Sequence, residues 1–245
     1  MITAYDAWSA RLVARSNVDA ILVGDSVAMV MHGHRTTLPA TVALMALHTR
    51  AVAASAGGKF LIADLPFLSF RKGVRAAMTA VGALVTSGAQ AVKLEGVDGH
   101  EDVITHVIQS GVPVMGHIGL KPQSVHQLGG FHVQGRDDAA AAQLLRQAHV
   151  LEELGCFGIV LECVPAAVAD RITAELTMPT IGIGAGAGTD GQILVLQDLF
   201  GVDTTHTPRF VRRYLDGERL MTDALNRYDA DVKETQFPSA EESYA

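Results

Sequence analysis

The stretch TVALMALHTRAVAASAGGKFLIAD (residues 41–64) contains one predicted helix and one predicted strand, separated by glycines. Apolar residues recur at helical spacing over 41–56, and the run FLIAD (60–64) is short, apolar and ends on Asp64. Glycine commonly ends a helix because it tolerates the left-handed backbone conformation. A short apolar run bounded by such a turn is typical of a strand that is buried on both faces.

The same alternation of short apolar runs and helix-like stretches continues along the chain. Candidate strands fall at 2–5, 20–24, 60–64, 91–95, 112–117, 158–162, 180–184 and 192–196. Strands that alternate with helices indicate a parallel sheet, and about eight such units in 245 residues match the size of a (β/α)8 barrel. We therefore expect an α/β protein with a single (β/α)8 TIM barrel over residues 1–230 and a polar C-terminal tail over 231–245.

A doubly wound open sheet is the alternative fold. It would place a glycine-rich phosphate-binding turn after an early strand. The residues that follow AILVG (20–24) are DSVAMV, which do not form such a turn. The glycine-rich stretch GIGAGAGTDG (182–191) does not match the dinucleotide-binding spacing, and we interpret it as a tight loop after the seventh strand.

Composition excludes several classes of function. With 49% hydrophobic and 18% charged residues, the chain can bury a sizeable core, and its net charge of −7 argues against nucleic acid as a partner. No run has the length and apolar character of a membrane span, and no secretory signal is recognised. We therefore expect a soluble cytoplasmic protein without a membrane partner.

The candidate strands become polar at their carboxyl ends. In a parallel barrel these ends open at one rim, which is where this fold builds active sites. Each residue taken alone could be a helix N-cap. Carboxylates at several successive strand ends instead favour one shared site, which would contain Asp25, Ser26, Asp64, Lys93, Glu95, His117 and Glu162.

Carboxylates gathered at one rim repel each other, and a hard divalent cation relieves that repulsion. An all-oxygen ligand set suits Mg²⁺ better than Zn²⁺. Asp25 and Asp64 are the best candidate ligands, and Glu95 would coordinate directly or through water. Alternate strand residues share a face, so Lys93 points inward with Glu95 and would meet an anionic ligand there. His117 is a candidate for hydrogen bonding to substrate.

Several motifs resemble the ketopantoate hydroxymethyltransferase family over nearly the whole chain. They are ITAYDAWSARL, LVGDSVAMVMHGHRTTLPATV, LIADLPF, AVKLEG, PVMGHIGLKPQSVHQLGGFHVQGR, LECVP and IGIGAGAGTDGQILVLQDLFG. The resemblance implies a barrel of the phosphoenolpyruvate/pyruvate type that uses Mg²⁺. It also implies transfer of a one-carbon unit from 5,10-methylenetetrahydrofolate to 3-methyl-2-oxobutanoate, which gives 2-dehydropantoate and tetrahydrofolate in pantothenate biosynthesis.

The resemblance also implies roles for single residues. Asp25 and Asp64 bind the metal and Glu95 joins its shell, while Ser26 and Lys93 hold the 2-oxo acid. Glu162 stands at the position of the catalytic base. The family forms homo-oligomers, commonly decamers, and its members usually carry a helical segment before ITAYD, which is absent here. We therefore expect the missing segment to affect stability and assembly more than chemistry.

Two other interpretations remain open. Another Mg²⁺-dependent enzyme of the same barrel superfamily, such as a lyase or phosphonomutase, would also act on a 2-oxo acid, but the KKCGH-like loop of the lyases is not found. A non-catalytic metabolite-binding barrel would be expected to lose the residue at position 93 or 162. Both Lys93 and Glu162 are intact.

Overall fold

The computed structural model describes residues 1–203 and 207–244, and its strands form a single parallel sheet. The strands are β1 (Ile2–Thr3), β2 (Ala20–Val23), β3 (Phe60–Asp64), β4 (Ala91–Lys93), β5 (Val114–Gly119), β6 (Gly158–Glu162), β7 (Thr180–Ile183) and β8 (Gly191–Gln192). They pair in chain order from β1 to β8. A parallel bridge between Ile2 and Leu194 joins the two edges. The sheet is therefore closed, which confirms the predicted barrel and excludes the doubly wound alternative.

Helices connect most of these strands. They are α1 (Ala7–Ala14), α2 (Val27–Val30), α3 (Val42–Ala53), α4 (Val74–Val85), α5 (Glu101–Gln109), α6 (Val125–Leu128), α7 (Asp138–Glu153) and α8 (Ala166–Glu175), with a 3-10 turn at Pro122–Ser124. The side chains of Asp6, Thr41 and Asp137 accept hydrogen bonds from the first turns of α1, α3 and α7. These caps begin each helix where the chain leaves a strand or loop. Between β7 and β8 the chain returns through residues 184–190 without a helix.

Some strand boundaries differ from the predicted ones. The fifth strand was predicted over 112–117 and is observed over Val114–Gly119. Proline has no N–H to give to a ladder, which favours a start after Pro113. The fourth strand ends at Lys93 instead of residue 95, because Gly96 turns the chain with a φ of 77°.

One face of the strands lines the barrel interior. A cluster of buried apolar side chains comes from six strand segments around the barrel: Leu22, Ile62, Ala91, Met115, Val160 and Ile193. Two residues farther along four of these segments lie Asp64, Lys93, His117 and Glu162. Alternate residues of a strand share a face. The polar residues therefore stand above the apolar layer inside the barrel, at the carboxyl ends of the strands.

Residues Leu196–Ala245 form a second compact unit, separate from Met1–Val195. It contains α9 (Leu196–Phe200), α10 (Gly217–Lys233) and a 3-10 turn at Ala240–Glu242. Helix α10 carries several exposed apolar side chains, among them Leu225 and Tyr228. The predicted boundary between barrel and tail at residues 230 and 231 stays a prediction. Among the described residues, no helix combines the length and the apolar character that crossing a bilayer requires.

A pair of glycine variants tests how tightly β5 and β6 meet at the rim. Gly119 and Gly99 have φ values of 91° and 81°. A Cβ on Gly119 would lie 2.2 Å from the backbone oxygen of Glu162, whereas a Cβ on Gly99 meets nothing within 4 Å. We expect Gly99→Ala to lower the free energy of unfolding by about 1–2 kcal/mol through backbone strain alone. Gly119→Ala should cost roughly a further 1–3 kcal/mol because backbone cannot move aside as a side chain can.

Chemical denaturation of both variants measures the difference. Equal losses in the two variants would show that β5 and β6 are farther apart at this point than the structure indicates.

Candidate active site

The carboxyl ends of β2 to β6 bring the predicted site residues together. Five of them are almost completely buried: Asp25, Asp64, Lys93, Glu95 and His117 are exposed by 5% or less. Glu162 is less enclosed, with a side chain that is 18% exposed. Ser26 is half-buried at the start of α2. The inward orientation that the sequence predicted for Lys93 and Glu95 therefore agrees with their burial.

Lys93 is the cation at the centre of this group. Its Nζ lies 2.9 Å from Asp64 Oδ1 and donates to His117 Nδ1 at 3.3 Å. Burial by itself would lower the pKa of Lys93, but Asp64, Glu95 and Asp25 outweigh that effect and raise the pKa above its usual value. The ammonium therefore stays charged, because three carboxylates surround it.

Asp25 and Asp64 are joined to each other through the backbone. The N–H of Asp25 donates to Asp64 Oδ2 at 3.0 Å, and Gln123 Nε2 donates to Asp25 Oδ2 at 2.8 Å. Burial and the neighbouring Asp64 raise the pKa of Asp25 to about 7. Neither carboxylate caps the helix that follows its strand, so the N-cap interpretation does not describe them.

Glu95 is held by the backbone of the same residue, Gln123. The backbone N–H of Gln123 donates to Glu95 Oε2 at 3.0 Å, and Glu95 Oε1 lies 3.6 Å from His117 Nδ1. Burial and then the charge of Asp25 raise the pKa of Glu95 well above its usual range. The single positive charge of Lys93 therefore cannot balance the carboxylates of Asp25, Asp64 and Glu95.

His117 links this cluster to Glu162. Burial and the charge of Lys93 hold the pKa of His117 well below its usual value, so the ring is neutral. Because Nδ1 accepts from Lys93, the ring proton is on Nε2, which lies 3.2 Å from Glu162 Oε2. Burial raises the pKa of Glu162 to about 7, against the opposing effect of Lys93. Such a carboxyl can gain and lose a proton near neutral pH.

The cluster supplies oxygen atoms of the kind that a hard divalent cation prefers. Asp64 Oδ1 is buried without a hydrogen bond, although the charge of Lys93 lies beside it. A Cβ at Gly24 would lie 2.8 Å from Ser26 Oγ and 3.5 Å from Asp64 Oδ2, so the glycine keeps this space open. Among the described residues, no three His, Cys, Asp or Glu side chains are arranged to hold a metal ion. The assignment of Asp25, Asp64 and Glu95 to a metal site stays a prediction.

Two residues of the site were missed from the sequence. Gln123 contacts both Asp25 and Glu95, and Tyr5 shares a 2.7 Å hydrogen bond with Ser26 Oγ. Both lie inside the motifs PVMGHIGLKPQSVHQLGGFHVQGR and ITAYDAWSARL. Neither is charged at neutral pH, so the search for strand-end charges did not select them.

Comparison with known proteins identifies the family. The family profile described as Ketopantoate hydroxymethyltransferase matches residues 1–240. The chain belongs to the ketopantoate hydroxymethyltransferase family. The resemblance inferred from the sequence is therefore confirmed.

Three relatives of this ketopantoate hydroxymethyltransferase family member carry the name 3-methyl-2-oxobutanoate hydroxymethyltransferase. The protein from Bdellovibrio bacteriovorus is 56% identical over 245 residues, covering 100% of this chain and 93% of the relative. That from Coxiella burnetii is 52% identical over 242 residues, covering 98% of this chain and 91% of the relative. The protein from Francisella tularensis is 52% identical over 244 residues, covering 100% of this chain and 92% of the relative.

Solved structures with the same fold are more distant in sequence. Phosphonopyruvate hydrolase in complex with oxalate and Mg²⁺ has a TM-score of 0.63 at 12% identity and covers 98% of this chain and 87% of its own. Phosphoenolpyruvate phosphomutase from Streptomyces platensis has a TM-score of 0.63 at 15% identity. The alignment covers 100% of this chain and 86% of the phosphomutase. At such low identity these similarities show a shared barrel fold and nothing about chemistry.

A variant of Gln123 tests whether this residue orients the carboxylate of Asp25. In Gln123→Ala, Asp25 Oδ2 and the carbonyl oxygen of Leu65 both lose their donor, Gln123 Nε2. Buried acceptors without donors cost about 1–3 kcal/mol of the free energy of unfolding. The hydroxymethyltransferase activity of the family should fall by about 10- to 100-fold, since groups that orient metal ligands have effects of that size.

The matched control is Gln127→Ala, because Gln127 is an exposed glutamine of the same segment. Denaturation curves and initial rates of both variants give the comparison. If the two variants behaved alike, the assignment of Gln123 as the residue that orients Asp25 would be wrong.

Proposed function

We propose that this protein transfers a hydroxymethyl group from 5,10-methylenetetrahydrofolate to 3-methyl-2-oxobutanoate, giving 2-dehydropantoate for pantothenate biosynthesis. The observation that carries the proposal is the buried set of Asp25, Asp64, Glu95 and Lys93 at the carboxyl ends of the strands. A 2-oxo acid presents a carboxylate and a keto oxygen, which suit a cation held by carboxylates and a nearby ammonium. The shared name of the full-length relatives supports the same reaction.

Asp25 and Asp64 would hold Mg²⁺ directly, and Glu95 would join its shell directly or through water. When bound, Mg²⁺ supplies Lewis-acid stabilisation for negative charge that develops on the keto oxygen. Lys93 would contribute a fixed positive charge to the same oxygen or to the carboxylate. Ser26, positioned by Tyr5, would donate to the acid.

Glu162 would act as the base that removes the C3 proton. Its Oε2 lies 3.2 Å from His117 Nε2, which makes no hydrogen bond to any described residue in this arrangement, so the carboxylate stays available to a substrate proton. The C3–H bond breaks, the proton moves to Glu162, and C3 forms a bond to the methylene carbon of the folate. The two bonds from that carbon to the folate nitrogens break and water supplies the hydroxyl group. The C3 proton held by Glu162 and one proton of the water pass to the two nitrogens, which gives 2-dehydropantoate and tetrahydrofolate.

We also infer a cytoplasmic homo-oligomer, commonly a decamer by resemblance to the family. Exposed apolar side chains on α10, including Leu225 and Tyr228, supply a surface of the kind that subunits bury.

The first test measures metal-dependent product formation. Purified protein is assayed with both substrates after EDTA treatment and again after Mg²⁺ is restored. We expect 2-dehydropantoate only in the presence of the metal, because the carboxylate cluster needs a counter-charge to bind an anionic acid. Folded protein that forms no product with Mg²⁺ would refute the proposed reaction.

A second test isolates proton removal from C3. Loss of the C3 proton of 3-methyl-2-oxobutanoate in D2O is followed by NMR for wild type and Glu162→Gln. The exchange rate should fall by about 100- to 10,000-fold in the variant, since the amide cannot accept the proton. The dissociation constant of the acid should change little. Near-normal exchange in Glu162→Gln would show that another group is the base.

The pH profile of wild type provides a further check on Glu162. The reactive form is the carboxylate, so exchange should be lost as the pH falls through the pKa of about 7. A bound cation lowers that pKa, which places the acid limb at or below pH 7. The residual exchange of Glu162→Gln should lack this limb, and a limb that persisted in the variant would have to belong to a different group.

A further inference from the structure

Two cations converge on one point at the rim of the site. A Cβ added to Gly96, the residue after Glu95, would lie 3.3 Å from Arg71 Nη2 and 3.5 Å from Lys121 Nζ. Over residues 1–203 and 207–244, neither Arg71 nor Lys121 has a carboxylate oxygen within 4.0 Å. Two positive charges held this close repel each other, and an anion placed between them would remove the repulsion.

Arg71 is anchored by the backbone and keeps donors to spare. Its Nη2 donates to the carbonyl oxygen of Glu95 at 3.3 Å and its Nη1 to that of Asp98 at 3.2 Å. The guanidinium carbon also lies 5.5 Å from the centre of the Phe70 ring. A guanidinium has five N–H donors, so two backbone contacts leave others for a ligand. The side chain is exposed, whereas Lys121 is half-buried.

The nearest acidic side chain is already occupied. The carboxylate of Asp98 forms an ion pair with Arg146 and accepts hydrogen bonds from the amides of Gln143 and Gln147. Both of its oxygens are therefore taken up by α7, and it forms no ion pair within 4.0 Å with Arg71 or Lys121, although the charge of Lys121 contributes to lowering the pKa of Asp98. The excess positive charge at Gly96 is a local feature of a chain whose net charge is −7.

Lys121 also borders a small cavity beside the rim, whose lining is largely apolar. This cavity has a volume of about 160 Å³, and the glutamine side chains of Gln134, Gln143 and Gln147 contribute to its walls. The amides of Gln143 and Gln147 already donate to Asp98 and that of Gln134 to the carbonyl oxygen of His132, so Lys121 supplies the charge at this cavity.

We propose that Arg71 and Lys121 bind a carboxylate of the glutamate moiety of the folate co-substrate. This inference rests on the proposed function. The 2-oxo acid is the other source of a carboxylate, but its one carboxylate is needed at the buried Lys93 and Ser26. The larger co-substrate must reach the same centre from the solvent side, and the two cations stand on that side of Glu95.

Lys121 variants test the proposal, since Arg71 also supports the backbone of Glu95. Wild type, Lys121→Ala and Lys121→Arg are compared, with Lys72→Ala as the matched control for loss of an exposed rim charge. Three quantities are measured: the KM for 5,10-methylenetetrahydrofolate, the KM for 3-methyl-2-oxobutanoate, and the folate-independent C3 exchange rate. We expect Lys121→Ala to raise the KM for the folate by about 10- to 100-fold, the range for a lost charge-assisted hydrogen bond.

In Lys121→Ala, the KM for 3-methyl-2-oxobutanoate and the C3 exchange rate should stay within twofold of wild type. Such a result would also show that this variant folds. Lys121→Arg should recover most of the affinity, and Lys72→Ala should leave all three unchanged. A donor that lacks glutamate, 5,10-methylenetetrahydropteroate, gives a second comparison. Wild type should bind it as weakly as Lys121→Ala binds the folate, and the variant should show no further loss with it.

Several results would overturn the proposal. An unchanged KM for the folate would show that Lys121 does not contact it. A parallel rise in the KM for 3-methyl-2-oxobutanoate, with slower exchange, would assign the cations to the 2-oxo acid instead. Failure of the proposed function is recognised separately, because wild type itself would then form no 2-dehydropantoate, and the folate assignment would be lost with it.

Discussion

The ammonium of Lys93, enclosed with Asp25, Asp64 and Glu95 inside the barrel, is the constraint on which the rest of the site depends. Burying charges is costly unless each one has partners, and here the carboxylates outnumber the lysine. Burial first, and the neighbouring carboxylates second, raise the pKa values of Asp25 and Glu95. By our proposal a bound divalent cation would correct this imbalance, and the excess of negative charge would supply the affinity of the cluster for metal.

The barrel makes this arrangement possible by separating two layers. Apolar side chains such as Ile62 and Met115 fill the interior, and the polar residues two positions later stand above them. The lower layer supplies hydrophobic stabilisation and excludes water from beneath the charges. Solved structures of 12% and 15% identity share the barrel fold, which agrees with the rule that one fold supports many reactions.

Residues in loops contact the strand-end residues and complete the site. Gln123, in the turn after β5, fixes the orientation of Asp25 and Glu95, and Lys121 from the same turn faces Arg71 across Gly96. By our proposal, the inner contacts serve a small acid at the buried cluster. The outer cations serve, by our proposal, a larger co-substrate that cannot enter the barrel. One short segment thus connects the chemistry of the centre with recognition at the rim.

The sequence by itself determined the barrel, the family and the set of strand-end residues, because strand periodicity and parallel topology send those residues to one rim. It did not determine which atoms meet. Gln123 and Asp25 are 98 residues apart in the chain, and no local pattern announces their hydrogen bond. Tyr5, Gln123 and the Arg71–Lys121 pair became visible only in the tertiary structure, since loop side chains are positioned by long-range contacts that leave no period in the sequence.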